Sequence, residues 1–121
     1  HIDVDTDLSQ LDALLRDIQA LELDVIITEF DVYESVREGD DARRDALVAG
    51  KAREFLDRVL SVVKPKQILT WGLSDRHSWL SSPIWNKWRN PQGLDNRGLP
   101  LDAGLKRKAM WGVLHDTLSR M

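Results

Sequence analysis

The sequence predicts an α/β fold, in which short strands and longer helices alternate along a chain of 121 residues. Two short, largely apolar runs, DVIITEF and QILTWG, have the character of strands buried in a parallel sheet. Three other stretches repeat apolar residues at intervals of three and four, which is typical of amphipathic helices. Because two strands leave edges and faces uncovered, we expect the chain to form one arc of a larger α/β structure.

Composition indicates one domain spanning residues 1–121 and argues against several function classes. Hydrophobic residues make up 42% and charged residues 31% of the chain, which is the balance of a soluble globular domain. The formal net charge of -3 disfavours a nucleic-acid partner, because phosphate binding needs a basic surface. No apolar stretch approaches the roughly 20 residues that cross a bilayer, so no membrane role is expected. Cysteine is absent, which excludes disulfides and thiolate chemistry.

The first helix is predicted over residues 8–21, where leucine and isoleucine recur at helical spacing. Ser9, followed by Asp12 three residues later, fits a capping box at the start of this helix. The run that follows predicts a strand over residues 25–30 that is buried on both faces.

The second half of the chain repeats this alternation. A helix is predicted over residues 42–63 and ends before Pro65, which cannot continue a helix. QILTWG is the second buried strand, and a last helix is predicted over residues 103–118, with Leu105 and Ala109 among its inward-facing residues. The segment between them is long and rich in Gly, Pro, Asn and Trp, and such a segment is usually functional.

Two carboxylates stand at the end of the first strand. Glu29 and Asp31 are two positions apart, and alternation along a strand would point both side chains to the same side. Trp71 occupies the corresponding end of the second strand. In α/β barrels the carboxyl ends of the strands carry the chemistry, whereas residues farther back fill the core. The apolar part of DVIITEF is therefore predicted to be core, and its acidic end is predicted to face a cleft.

These residues resemble the xylanases of glycoside hydrolase family 10. IITEFDV is similar to the family's nucleophile strand, TWGLSDRHSW to its last strand and following loop, and GLPLD to the segment ahead of its final helix. His1 is similar to the histidine that ends the preceding strand in that family. The similarity covers nearly the whole chain in the right order. It implies the C-terminal portion of a (β/α)8 TIM barrel, with two full strands, the end of a third and three helices, which is incomplete as a barrel on its own.

The resemblance also implies roles for individual residues. Glu29 would be the catalytic nucleophile that attacks β-1,4-linked xylose, while His1 would hydrogen-bond Glu29 and Asp31 would orient His1. Trp71 and Trp79 would shape the sugar site. An imidazole N–H favours the ionised carboxylate that a nucleophile needs, and a second carboxylate on the other ring nitrogen fixes the orientation of the ring. No metal ion and no organic cofactor is implied.

The chain lacks part of what the family's reaction needs. Retaining glycosidases use two carboxyl groups roughly 5 to 5.5 Å apart. The family's acid/base glutamate follows an asparagine on an earlier strand, and no Asn-Glu dipeptide occurs here. The chain alone is therefore expected to be inactive. Xylan or xylooligosaccharide would be the partner of a complete, secreted protein whose export signal has been removed or lies upstream, and the remainder of the barrel or another copy would cover the open strand edges.

Other functions stay open on the sequence alone. The chain could be a non-catalytic carbohydrate-binding remnant that keeps its tryptophans, or a structural fragment that assembles with other copies. Glu29 and Asp31 could be ordinary exposed acids where a strand meets its loop. Trp85 and Trp88 could contact a sugar or pack within their own loop, where Asn86 is also available.

The remaining notable side chains are predicted to be structural or solvent-exposed. Trp111, on the last helix, is expected to pack in the core or on the surface. His77 and His115 lack metal-ligand spacing and are expected to be ordinary polar residues. Two groups of basic residues are expected to form solvated helix faces: Arg43, Arg44, Lys51 and Arg53, and Lys106, Arg107 and Lys108.

Overall fold

The computed structural model of the protein describes residues 1–35, 39–82 and 93–121. In chain order its elements are β1 (Ile2–Asp3), α1 (Leu11–Ala20), β2 (Ile26–Phe30), β3 (Val32–Tyr33), α2 (Asp41–Val62), β4 (Gln67–Thr70) and α3 (Ala109–Leu118). Two short 3-10 helices, Asp75–His77 and Trp79–Ser81, lie between β4 and α3. The predicted alternation of helices and strands is confirmed.

The strands form parallel pairs, as the sequence predicts. β1 pairs with β3, and β2 pairs with β4. β2 and β3 are two parts of one extended run that is interrupted at Asp31. The backbone N–H of Ile2 donates to the Asp31 carbonyl, and that of Trp71 donates to the Phe30 carbonyl. The start of β1 and the end of β4 are therefore held on either side of the interruption.

α2 supplies the centre of the hydrophobic core. It begins after Asp40, whose side chain accepts a hydrogen bond from the Arg43 N–H at 2.9 Å. Its apolar face packs against the strands, α1 and α3. The most deeply buried members of this core are Phe30, Val32, Val48, Ala52, Leu56, Val59 and Met110.

The strands are not buried on both faces, which corrects the prediction for DVIITEF and QILTWG. Ile27 and Phe30 of β2 are buried, but Ile26 is 51% exposed and Leu69 of β4 is 50% exposed. The helices of this chain cover one face of the arc, and nothing in the described part of the chain covers the other. The apolar runs therefore carry more hydrophobic surface than the chain buries by itself.

The start of α1 also differs from its prediction. The helix begins at Leu11, and no side chain caps it, so the capping box of Ser9 and Asp12 does not form. Instead, the backbone N–H and the hydroxyl of Ser9 both donate to the carboxylate of Asp7, at 2.9 and 3.0 Å. This local turn takes the hydroxyl that the capping box would have used.

The last helix begins at Ala109 rather than near residue 103. The residues before it form a turn in which Asp102 Oδ1 accepts hydrogen bonds from the N–H groups of Gly104 and Lys106, at 2.8 and 2.9 Å. Leu105 lies in this turn with φ of 66° and is 59% exposed, so it does not face the core. Ala109 is exposed as well, and the buried face of α3 consists of Met110, Val113, Leu114 and Thr117.

The hydrogen bonds in this turn predict how the stability of the protein depends on pH. The N–H of Lys106, with that of Gly104, holds the pKa of Asp102 below its ordinary value of 3.8. Since the lowered pKa belongs to the folded state, the stabilisation is fully present above the ordinary value and is lost as the pH falls below it. The free energy of unfolding, measured in urea at neutral pH and at about pH 3, should decrease more on acidification for the wild type than for Asp102→Asn. The variant keeps an acceptor oxygen but does not titrate. Equal losses would contradict this account.

Gly98 is required where residues 93–101 cross the interrupted strand. Its carbonyl accepts a hydrogen bond from the Val32 N–H at 3.1 Å. A Cβ at this position would lie 2.2 Å from the Val32 carbonyl oxygen and 2.8 Å from Leu80 Cδ1. The backbone of one segment thus approaches the other more closely than any side chain allows.

Replacing Gly98 with alanine should lower the free energy of unfolding by about 1–3 kcal/mol, because the extra methyl group forces the segment away from Val32. Gly50 is the matched control, since it lies inside α2 and a Cβ added there would meet no atom within 4 Å beyond the backbone of its own helix. Gly50→Ala should raise the free energy of unfolding by about 1 kcal/mol through helix propensity. Chemical denaturation measures both, and equal effects would disprove the close approach.

Candidate active site

Glu29 lies at a β-bulge near the end of β2. Ile27 pairs with Ile68 and Phe30 pairs with Thr70, so β2 contains one residue more than β4 between these pairs. Glu29 has φ of 54°, in the left-handed region that costs a residue other than glycine roughly 1–2 kcal/mol. Such strained positions and bulges concentrate at functional sites, where they redirect a side chain.

The bulge changes how the two acids of the strand are arranged. Thr28 and Glu29 are both exposed, whereas Phe30 and Asp31 are both buried, so the expected alternation of faces is interrupted. The side chains of Glu29 and Asp31 nevertheless reach the same partner. The two acids therefore meet at one side chain, although the period-two alternation on which the sequence prediction relied is not what brings them together, and Asp31 is buried rather than facing an open cleft.

The imidazole of His1 connects the two acids. Its Nε2 atom lies 3.0 Å from Oε2 of Glu29, and its Nδ1 atom lies 2.8 Å from Oδ1 of Asp31. Each ring nitrogen thus faces one carboxylate oxygen at hydrogen-bonding distance. The side chain of His1 is 36% exposed and that of Glu29 is 47% exposed, while the side chain of Asp31 is completely buried.

Trp79 is a second partner of Asp31. Its indole N–H donates to Oδ2 of Asp31 at 2.7 Å, and its ring lies 4.7 Å from the His1 ring, centroid to centroid. A buried carboxylate is stable only when its oxygens are hydrogen-bonded or paired. The two oxygens of Asp31 meet this requirement with one contact to Trp79 and one to His1.

Trp71 lies on the exposed side of the cluster that His1, Glu29, Asp31 and Trp79 form. It follows β4 directly, the residue is 47% exposed, and its ring meets the His1 ring edge-on with centroids 6.3 Å apart. An exposed indole beside an exposed carboxylate offers an apolar surface and a reactive oxygen at the same place. Sugars suit such a surface, because one face of the ring consists of C–H groups and the hydroxyls lie at its rim.

The contacts of His1 determine its chemistry. A neutral imidazole has one N–H and one lone pair, so it would direct a lone pair at one of the two carboxylates. An imidazolium can donate to both carboxylates at once, at the observed distances of 3.0 and 2.8 Å. The arrangement can therefore present a half-exposed carboxylate oxygen of Glu29 to an electrophilic carbon.

The structure brings together every residue that the sequence predicts for the site, namely His1, Glu29, Asp31, Trp71 and Trp79. Their catalytic and sugar-binding roles stay predictions. Trp85, Trp88 and Asn86 lie outside the described residues. His77 is exposed, and Trp111 is half-buried, with the Arg107 guanidinium 4.6 Å from its ring centre.

Arg44 corrects the prediction of a solvated helix face. It is only 5% exposed, and its guanidinium donates to both carboxylate oxygens of Glu34, at 2.9 and 3.0 Å, and to the Asp95 carbonyl at 2.6 Å. Helical spacing contained a signal for this burial, since Arg44 precedes the fully buried Val48 by four residues and shares its face.

Lys108 is the second correction. Its side chain is 3% exposed and lies 2.7 Å from the carboxylate of Asp75. Its two basic neighbours, Lys106 and Arg107, are exposed as predicted. No local pattern separates the three, because the acid that pairs with Lys108 comes from a distant turn.

Neither a group of metal ligands nor a membrane-spanning helix occurs in the described part of the chain. In residues 1–35, 39–82 and 93–121, no three His, Asp or Glu side chains are grouped so that they could hold a metal ion. Among the helices within those ranges, none is both long enough and apolar enough to cross a membrane.

Comparison with known proteins gives a single family. The family model for glycosyl hydrolase family 10 matches residues 1–116. The fold is similar to xylanase 10B from Thermotoga petrophila RKU-1 in complex with xylobiose, with a TM-score of 0.76 and 22% identity over 99% of this chain and 34% of that chain. It is also similar to the endo-1,4-beta-xylanase XylE from Penicillium canescens, with a TM-score of 0.77 and 20% identity over 98% of this chain and 34% of that chain.

A third similar structure is xylanase 10C from Cellvibrio japonicus in complex with xylopentaose, with a TM-score of 0.76 and 20% identity over 98% of this chain and 26% of that chain. No curated protein matched the sequence. The chain spans about a third of the length of the Thermotoga enzyme that it matches. The predicted fold class, the C-terminal portion of a TIM barrel that does not close on its own, is confirmed.

Proposed function

Because this chain belongs to glycosyl hydrolase family 10, we propose that it supplies the nucleophile and part of the sugar site of a retaining endo-1,4-β-xylanase. The similar structures from Thermotoga and Cellvibrio are complexes with xylobiose and xylopentaose, which supports xylooligosaccharides as the ligand class. Xylan would be the polymeric substrate. Since xylan is a polymer of plant cell walls, the complete protein would act outside the cell and would be secreted.

The observation that carries this proposal is the continuous contact from Glu29 through His1 to Asp31. Oε2 of Glu29 lies against His1, which leaves Oε1 to attack an anomeric carbon. The contact with His1, together with the bulged backbone at Glu29, would hold the carboxylate in this direction before any sugar binds. A fixed, ionised carboxylate at the end of a barrel strand is the arrangement that nucleophilic displacement needs.

The first step would form a bond between Glu29 Oε1 and the anomeric carbon of a xylose unit. The bond from that carbon to the leaving oxygen breaks at the same time, and an acid gives the leaving oxygen a proton. As the ester forms, Glu29 loses its negative charge. The imidazolium of His1 keeps a counter-charge, because buried Asp31 is still paired with it at 2.8 Å.

The second step would reverse this transfer of charge. The group that gave its proton takes one from water, the water oxygen attacks the anomeric carbon, and the bond to Glu29 breaks. Two inversions give a product with the original configuration. The acid/base carboxyl group would lie on a segment outside residues 1–121, and residues 1–121 alone would bind sugar without hydrolysing it.

Two measurements test the proposed function. Proton NMR of xylooligosaccharide hydrolysis by the complete protein should show the β-anomer as the first product, and an α-anomer first would exclude double displacement. Residues 1–121 alone should bind xylooligosaccharide, observed through tryptophan fluorescence, without turnover of an activated aryl xyloside.

A non-catalytic carbohydrate-binding role is the second candidate, which the exposed indole of Trp71 favours. It predicts that the complete protein also binds xylooligosaccharide and leaves the aryl xyloside intact. The comparison of complete protein and isolated chain therefore separates the two candidates.

A further inference from the structure

A buried lysine is connected to the candidate site by two chains of contacts. The ammonium group of Lys108 lies 2.7 Å from Oδ2 of Asp75 and 3.5 Å from Oδ1 of Asp45, and it donates a hydrogen bond to the Arg97 carbonyl. Its side chain is only 3% exposed, and a charge buried to this extent must be paired and hydrogen-bonded. Lys108 thus joins the turn after β4, the segment 93–101 and α2 at one point.

The first chain of contacts runs from Lys108 to Trp79. Asp75 begins the first 3-10 helix, and its Oδ1 atom accepts the Leu99 N–H at 3.1 Å. Burial raises the pKa of Asp75 and the Lys108 ammonium opposes that rise, so the lysine favours the charged form of this acid. The Ser78 N–H donates back to the Asp75 carbonyl, and the Ser78 hydroxyl caps the next turn, which begins at Trp79. Asp75 is therefore linked to Trp79 through two consecutive capped turns.

The second chain of contacts runs through the carbonyl group of Arg97, which accepts the hydrogen bond from Lys108. That carbonyl immediately precedes Gly98, whose own carbonyl accepts the Val32 N–H at 3.1 Å. Val32 follows Asp31 directly in the chain. Asp31 also accepts the indole N–H of Trp79 at 2.7 Å. The two chains of contacts that start at Lys108 therefore both reach Asp31. The first reaches its side chain and the second reaches its backbone.

We propose that Lys108 is a positioning residue for the nucleophile: its ammonium fixes the indole of Trp79 and the backbone at Val32, and these orient Asp31 and His1. Without the ammonium, the buried carboxylate of the turn loses its cation and must take up a proton or move. Either change loosens the turn that carries Trp79. The positioning is a property of the fold, whereas its consequence for catalysis rests on the proposed function.

The first test monitors how firmly the Trp79 indole is held, and it does not depend on enzymatic activity. In Lys108→Met, which keeps a chain of similar length and removes the charge, the Trp79 indole N–H should exchange with solvent at least about tenfold faster by NMR. Lys106→Met is the matched control, because Lys106 is exposed on the same run, and its Trp79 exchange should equal that of the wild type. Unchanged exchange in folded Lys108→Met would overturn the proposal.

A second variant covers the case in which the single variant does not fold. Lys108→Met combined with Asp75→Asn removes both charges, and replacing a buried ion pair by neutral groups is often tolerated. This double variant keeps an acceptor oxygen for the Leu99 N–H, but it lacks the ion pair. The Trp79 indole N–H should again exchange at least about tenfold faster, and wild-type protection in the folded double variant would overturn the proposal.

The catalytic consequence is tested in the complete protein. Lys108→Met should lower kcat by about 10- to 100-fold with KM changed by less than about twofold, since a small misplacement of reacting groups acts mainly on the chemical step. Lys106→Met should change neither constant. Faster Trp79 exchange with unchanged kcat would overturn the catalytic part of the proposal. If the wild-type complete protein hydrolyses no xylooligosaccharide, the proposed function fails, and the exchange measurement still decides whether Lys108 positions Trp79.

Discussion

Replacing Glu29 with glutamine is expected to lower kcat of the complete protein on xylooligosaccharides by between roughly 10⁴- and 10⁶-fold, the scale seen when a covalent nucleophile is removed. Glutamine keeps the size of the side chain and can still contact His1, but its amide cannot form the glycosyl ester. The fold should be intact, because Glu29 is half-exposed and contributes no side chain to the core. Steady-state kinetics and circular dichroism measure the two effects, and hydrolysis at more than about a tenth of the wild-type rate would remove Glu29 from this role.

Glu29→Gly separates the chemical role of this residue from its strain. Glycine adopts φ of 54° freely, so this variant should gain roughly 1 kcal/mol in free energy of unfolding while losing activity like the glutamine variant. Azide should restore part of the activity by entering the vacated space, and attack from that face would give a glycosyl azide of inverted configuration.

Glu22 is the matched control, because it has φ of 56° at the end of α1 and lies outside the site. Glu22→Gly should gain similar stability and keep full activity.

The second large effect is expected at Arg44. Replacing it with methionine should lower the free energy of unfolding by about 3–5 kcal/mol, because the carboxylate of Glu34 would be buried without its cation. Glu34 is 1% exposed, and its partner besides Arg44 in the described part of the chain is the Arg97 N–H, at 2.6 Å. Urea denaturation measures the loss.

Arg43 provides the control for this change. It precedes Arg44 on the same helix and is exposed, so Arg43→Met should change the free energy of unfolding by less than about 0.5 kcal/mol. A double variant, Arg44→Met with Glu34→Gln, should recover part of the loss because no charge then stays buried. Equal stabilities of the two single methionine variants would contradict the importance of the ion pair.

The order of elements could be predicted from the sequence because it depends on local pattern. The repeats at three and four residues define α2, and the two apolar runs define β2 and β4. The exposure of Ile26 and Leu69 could not be predicted in this way. A strand pattern records the surface that a complete barrel buries, whereas exposure depends on what covers that surface.

The ends of the helices were less predictable for a related reason. Ser9 and Asp12 have the spacing of a capping box, but a competing hydrogen bond to Asp7 takes the hydroxyl of Ser9. Leu105 continues the apolar spacing of α3 backwards, but the hydrogen bonds of Asp102 fold those residues into a turn. In both cases a short-range polar contact overrides the periodic pattern.

Which residues meet at the candidate site could be predicted, whereas the geometry of their contacts could not. Glu29, His1 and Trp79 were identified through their place in motifs, but the bulge that redirects Glu29 leaves no mark in the residue types. Lys108 is similar, since its burial depends on Asp75 in a turn that sequence separates from it by more than thirty residues. Pairings between distant segments are the information that a single sequence does not contain.

The most direct test of the nucleophile is to trap it. A xylobioside with fluorine at C2 and a good leaving group at C1 should form a glycosyl-enzyme with the complete protein that hydrolyses slowly, because the fluorine destabilises the oxocarbenium-like transition state. Peptide mass spectrometry should find the added sugar mass on the peptide containing IITEFDV, with fragmentation placing it on Glu29. A label on another residue, or inactivation without any covalent label, would contradict the assignment of Glu29.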